Sequence, residues 1–256
     1  MNIKQSCLEI GVVTGLYRYP VKSMGGQSIH ESRLYWHGLD GDRRYAFVQS
    51  QNRSGFPWLT ARDLPQLVQY LPRFERPDPT NSPIQVETPN GRFLPLTSDE
   101  LHQELQAAFG KPIHLMKIGR GAYDSQVVSL VSQATLDKVG QLAGQPVTVE
   151  RFRQNILIET VNGYPFAEEE WLDGVLTFGD GPNPPRLRLN RPIKRCVMVN
   201  VDPKTAVTSP AILKTIAQQR DNCLGLYGSP EQPGPIHVGD VVRLGQSNQR
   251  PVTSNQ

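Results

Sequence analysis

Proline and glycine interrupt this sequence too often for long helices, since each occurs 22 times in 256 residues. Proline neither continues a helix nor donates to a sheet ladder, and glycine loosens both structures. The stretches between them suit strands of about 4–8 residues closed by turns. A chain of this length buries a substantial core, in one large or two modest domains. The expected class is α+β, predominantly β, with antiparallel strands and a few short helices.

The first part reads as strands over Ile10–Tyr19, Ile29–Trp36 and Arg44–Val48, with a turn at Asp40-Gly41 before the last. Asp63–Tyr70 reads as one or two turns of helix, and residues 76–83 as a loop. A hairpin follows, Ile84–Val86 and Arg92–Leu96, turning at Asn90-Gly91. Three helices carry end signals. Ser98 and Glu100 precede Leu101 and Leu105, with Gly110 as stop. Ser132 caps a helix with Leu136, Val139 and Leu142 inward and Gly144 at its end. Ser209-Pro210 opens one with Ile212, Leu213 and Ile216 inward. Further strands are expected over Val147–Ile158, Leu187–Asn190 and Cys196–Val201, and after Asp240. A boundary near 110–121 divides residues 1–115 from 116–246, each a β-barrel-like domain, and the polar tail 247–256 is expected to be disordered.

Several function classes lose support. The net charge is +3 with no basic cluster and no aromatic stacking platform, which argues against nucleic acid. Cys7, Cys196 and Cys223 form neither a disulfide framework nor a CxxC pair. No apolar window approaches the ~20 residues of a membrane span, and no signal peptide is expected, so the assigned location is cytoplasmic. His30, His37, His102, His114 and His237 are too scattered for a zinc site. No GxSxG elbow is present. Glu168-Glu169-Glu170 reads as a solvated turn, and His102 as a solvated residue on a polar helix face.

Two segments point to chemistry. Cys196 follows Lys194 and Arg195, a basic setting that favours a thiolate, and a thiolate is a soft metal ligand or sulfur carrier. Cys223 reads as a small buried hydrophobe. In Arg151-Phe152-Arg153-Gln154-Asn155, a strand would place Arg151, Arg153 and Asn155 on one face, suited to a phosphate. The plain alternative is an edge strand with solvated arginines. Lys22 and Ser23 sit in a glycine-bearing loop that would admit an anion, although it lacks Walker A spacing and on local grounds reads equally as an ordinary turn.

Taken in order, seven motifs resemble one family. They are Tyr19-Pro20-Val21-Lys22-Ser23, Gly41-Asp42-Arg43, Leu59-Thr60-Ala61-Arg62, Ser132-Gln133-Ala134, Arg151 to Asn155, Arg195-Cys196 with Val201-Asp202-Pro203, and Leu226-Tyr227-Gly228 before Val238-Gly239-Asp240. The chain resembles MOSC-domain proteins with the N-terminal β-barrel domain, within them the amidoxime-reducing component group and its bacterial relatives. The resemblance implies a molybdenum cofactor (molybdopterin with Mo) between two domains. It implies Cys196 as metal ligand, with Arg195 beside it in a catalytic position. It places Lys22, Ser23, Arg43, Ser132, Arg153 and Asn155 at positions that bind the pterin or its phosphate, and Arg151 joins them from the strand reading. Two departures stand out: Lys194 replaces the usual serine, and Gln154 replaces proline and is expected to point away from the arginine face.

The implied activity is reduction of N-hydroxylated small molecules, with electrons from a separate heme, flavin or ferredoxin-type protein. A persulfide carrier on Cys196 and a non-catalytic cofactor store are the alternatives.

Overall fold

The computed structural model describes residues 7–245. Its opening strand, Leu8–Arg18, buries Val13 and Leu16 completely. That strand lies between Ile156–Thr160 and Val241–Gly245 and closes a seven-stranded barrel. The ring continues through Val128–Ser132, Cys223–Gln232, Arg186–Lys194 and Val175–Phe178. Closure leaves no free edge in the ring. Six of its neighbour pairs are antiparallel, and only Val128–Ser132 and Ile156–Thr160 run parallel.

Four α-helices are present among the described residues: α1 Asp99–Phe109, α2 Gln133–Ala143, α3 Val149–Phe152 and α4 Ala211–Arg220. A parallel pair needs a crossover, and α2 with α3 supplies it. Alternation along the strands then divides two cores. Leu130, Ile156 and Ile158 face the barrel interior with Leu189 and Leu226. Val131, Leu157 and Leu224 face outward and are covered by Leu136 and Val139 of α2 and Ile212 and Ile216 of α4.

The smaller part is built from the pair Tyr45–Gln49 with Ile113–Lys117 and the sheet Leu71–Phe74, Ile84–Glu87 and Phe93–Pro95. Helix α1 packs on it through Leu101 and Leu105. The cap signals act locally as read. Ser98 accepts from the Leu101 amide and Ser132 from the Thr135 amide, while Gly110 and Gly144 end their helices with φ of 77° and 67°.

Several expectations need correction. The expected strand Val147–Ile158 is a turn of helix, α3, followed by a shorter strand from Ile156. Val149 and Phe152 are both buried, and an i, i+3 pair shares a face only in a helix. Cys196–Val201 is a 3-10 turn over Val197–Asn200. Asp63–Tyr70 contracts to a 3-10 turn over Pro65–Gln69. Ile29–Trp36 is broken at His30, so Gln27–Ile29 joins the barrel strand while Glu31–Tyr35 pairs with Gly234–His237. Leu142 is exposed.

Strand pairing crosses the division at 115/116: Leu8–Arg18 completes a barrel made otherwise of residues beyond 127, Glu31–Tyr35 pairs with Gly234–His237, and Tyr45–Gln49 pairs with Ile113–Lys117, a strand that the division itself cuts. The two parts are interleaved because barrel closure needs the N-terminal strand. The tail 247–256 lies outside the described residues.

Candidate active site

The loop leaving the opening strand crosses between the two parts. Its backbone is tied to the next segment by Lys22 N–H to Tyr45 O at 2.8 Å and Arg43 N–H to Tyr19 O at 2.7 Å. Beneath it Tyr19 is fully buried, and its hydroxyl donates to Gln154 O at 3.1 Å. The guanidinium groups of Arg153 and Arg43 lie 4.4 and 5.1 Å from the Tyr19 ring centre. Asp42, without exposed surface, accepts the Tyr19 amide at 2.7 Å and pairs with Arg43. Arg43 in turn donates to Arg153 O at 3.0 Å. A tyrosine, two arginines and one carboxylate thus fasten the two parts together.

Three residues here hold left-handed backbone: Ser23 at φ 65°, Arg43 at 50° and Arg153 at 54°. Such backbone in non-glycine residues costs about 1–3 kcal/mol each and concentrates at functional sites. At Arg153 it ends α3 and turns the chain into the Ile156 strand.

These elements border a cavity of about 740 Å³. Lys22, Arg43, Arg62, Arg151, Arg153, Arg191, Lys194 and Arg195 line it against a single carboxylate, Asp124. The chain as a whole carries 27 basic and 24 acidic residues, so the excess of positive charge is local to the cavity. Lys22 donates to Ala122 O at 2.8 Å and pairs with Asp124. Burial lowers the Lys22 pKa against the opposing pull of Asp124. Burial, then repulsion from Arg43, brings Arg153 down to about 10, and its Nη2 is buried without a hydrogen-bond partner. A charged donor left unsatisfied is an energetic opening for an anion.

Cys196 is exposed on the cavity wall, just before the 3-10 turn. Arg195 behind it is buried. Its Nε and Nη2 donate to Leu224 O at 3.0 and 2.6 Å, and Nη1 to Phe152 O at 3.1 Å. Burial lowers it to about 10.

Every expected site residue but one therefore meets at this cavity: Lys22, Ser23, Arg43, Arg151, Arg153, Asn155, Arg195 and Cys196. Ser132 is the exception. It is fully buried, caps α2, and donates to Glu168 Oε2 at 2.8 Å. Arg151 and Asn155 border the cavity with side chains already engaged. Arg151 reaches Val199 O and Asn200 O at 3.3 Å and Asp202 at 2.6 Å. Asn155 accepts from the Ser129 amide and hydroxyl at 3.1 Å and donates to Tyr17 O at 3.2 Å. They reach the cavity by the turn at Arg153, not by strand alternation. Gln154 is fully buried against Gly225 and is not among the residues lining the cavity.

Glu168 is not solvated. It is 1% exposed and holds Ser132 and Thr135, with its pKa raised by burial. His102 is partly buried, its Nε2 2.8 Å from Ile113 O. Cys223 is partly buried.

The lining residues missed in the sequence include Phe56, Tyr123 to Gln126 and Arg191. Tyr123 to Gln126 follow the expected boundary and have no periodicity. Their one cue is an aromatic and an acid in a polar connection. Asp42 was legible inside Gly41-Asp42-Arg43 as an acid beside an arginine.

Comparison with known proteins identifies the family. The MOSC domain matches residues 107–243 and the MOSC N-terminal beta barrel domain matches residues 10–111. The chain is 29% identical to human Mitochondrial amidoxime-reducing component 1, over 92% of this chain and 83% of that protein. It is 35% identical to Molybdenum cofactor sulfurase of Drosophila grimshawi over 39% of this chain, which spans only 13% of the sulfurase. The YUAD protein of Bacillus subtilis shares the fold with a TM-score of 0.51 at 13% identity, covering 95% of this chain and 99% of that one. The chain belongs to the MOSC-domain family and carries that family's N-terminal β-barrel domain together with the MOSC domain.

Proposed function

We propose that the chain is a molybdenum-cofactor-dependent oxidoreductase that reduces N-hydroxylated small molecules, with electrons from a separate donor protein. The observation that carries this reading is one exposed thiol, Cys196, on the wall of a cavity bordered by eight cationic side chains and one carboxylate. The residues fit the group. A molybdopterin brings phosphate and a soft metal, and the cavity offers an unsatisfied Arg153 Nη2 for the first and a thiol for the second. Among the described residues no cluster of three or more His, Cys, Asp or Glu is placed to hold a metal by itself. One thiol completing a cofactor-borne ligand set is consistent with that.

Arg153, Arg43 and Lys22 would neutralise the phosphate, with Ser23 beside them. Cys196 would ligate molybdenum, which when bound supplies two-electron oxygen-atom chemistry. Phe56, Met198 and Val199 give the cavity apolar surface that displaces water. Lys194 and Arg62, both exposed at the cavity, would present positive charge to an acidic electron donor. No helix among the described residues is long and apolar enough to cross a membrane.

The test is molybdenum and pterin content per chain, followed by reduction of benzamidoxime with a chemical electron donor. Absence of both metal and pterin from protein made in a cofactor-competent host sinks the reading. Cofactor without turnover leaves a binding or storage role. The exposure of Cys196 also suits a persulfide carrier, which predicts transferable sulfur and no molybdenum. Cys196→Ala should abolish turnover while Cys223→Ala leaves it intact, and full activity in Cys196→Ala would refute the ligand role.

A further inference from the structure

The segment that carries the thiol is tied to α3 at both ends. Upstream, Arg195 grips Leu224 O with Nε and Nη2 and Phe152 O with Nη1. Its backbone N–H also donates to Asn222 O, and its carbonyl accepts from Asn222 Nδ2, both at 2.7 Å. Downstream, Arg151 grips Val199 O, Asn200 O and Asp202. Phe152 directly precedes Arg153, whose guanidinium lies on Tyr19 and whose Nη2 is unsatisfied. The strand end at Gly225 is cut to match. Its φ is +72°, and a Cβ there would sit 2.5 Å from Leu130 O and 3.5 Å from Arg195 Nη2. The donors of Arg195 are directed at backbone carbonyls, not at the cavity contents.

We infer that Arg195 is a positioning residue, which locks the Cys196 backbone to α3 so that an anion held by Arg153 sets how the thiol is presented. This rests on the reading of the cavity as an anion site beside a ligand thiol. It adds that the two halves of the site move as one body. Without the clamp, Arg153 still holds its anion, but Cys196 no longer senses it.

The experiment uses the purified chain without cofactor, inorganic pyrophosphate as the anion probe and iodoacetamide, which is neutral, as the thiol reagent. Peptide mass spectrometry reads Cys196 apart from Cys7 and Cys223. In the wild-type chain, pyrophosphate should raise the melting temperature and change the Cys196 alkylation rate at least about five-fold, both with the same half-saturation. In Arg195→Gln the melting shift should persist at a similar concentration while the alkylation rate stops responding. A rate response of equal size in Arg195→Gln overturns the inference, because simple shielding by the anion predicts that result. So does a wild-type rate indifferent to bound pyrophosphate. Absence of any melting shift in the wild-type chain sinks the anion-site reading itself, which separates the two failures. Arg195→Lys keeps the charge but serves only one of the two carbonyls, and gives the same readout if Arg195→Gln does not fold. Lost or weakened coupling supports the clamp and full coupling overturns it.

Discussion

Asp42→Asn removes one buried charge and almost no volume. Asp42 has no exposed surface, and its Oδ1 accepts the Tyr19 amide at 2.7 Å, a bond asparagine can keep. The partner of Oδ2, Arg43, has 16% of its side chain exposed and sits beside Arg153 on the same tyrosine. Burial lowers the Arg43 pKa, but Asp42 with Tyr123 and Tyr19 outweighs it and the net shift is upward. In the variant an amide N–H₂ faces a guanidinium, and two arginines share the ring with no counter-charge in contact. Breaking a buried pair by deleting one partner costs about 3–5 kcal/mol, and the water reaching Arg43 from the cavity favours about 3. At about 2–4 °C per kcal/mol for a chain of this size, the melting temperature should fall by roughly 6–12 °C. Scanning calorimetry in phosphate-free buffer measures the loss. Pyrophosphate should restore more stability to the variant than to the wild type, because the bound anion replaces the missing charge. A loss below about 2 °C, or equal pyrophosphate shifts in both proteins, would refute the claim that Asp42 balances the arginine pair.

Other perturbations probe the surroundings of the cavity. Gln154 is fully buried with neither amide atom hydrogen-bonded, so Gln154→Met should stabilise the chain by about 1–3 kcal/mol in urea unfolding. Destabilisation would mean that the amide has a partner in solution. Gly225→Ala should cost about 3 kcal/mol or more, since its Cβ meets Leu130 O and its φ is left-handed, and unchanged stability would contradict that close approach. Glu168 has a pKa raised above its ordinary 4.5 by burial, so the unfolded chain ionises first as pH rises. Its contribution is therefore full below about 4.5 and declines as pH rises through its folded value. The stability of wild type minus Glu168→Gln should fall with pH above that point, and a difference that rises would reverse the sign.

Local sequence determined the turns and caps. Ser98 with Gly110, Ser132 with Gly144, and the Asn90-Gly91 turn need only their own side chains and backbone, so position along the chain was enough to read them. The order of motifs likewise named most of the residues that meet at the cavity, Lys22, Arg43, Arg153 and Cys196 among them, because their loops keep a recognisable local form, whereas Ser132 of the same set does not reach it.

Tertiary structure alone decided where those groups point. Arg151 and Arg153 lie two apart, which reads as one strand face, yet packing of Val149 and Phe152 makes that stretch a helical turn. Arg151 then faces Asp202 while Arg153 faces Tyr19. Ser132 bears the same hydroxyl in either setting, and only the arrival of Glu168 from 36 residues away commits it to the core. The opening strand is legible as a strand, but its partners Ile156–Thr160 and Val241–Gly245 are about 140 and 230 residues distant, and no local signal encodes them. Those partners are chosen by burial of a shared apolar face and by closure of the barrel, which are properties of the whole chain.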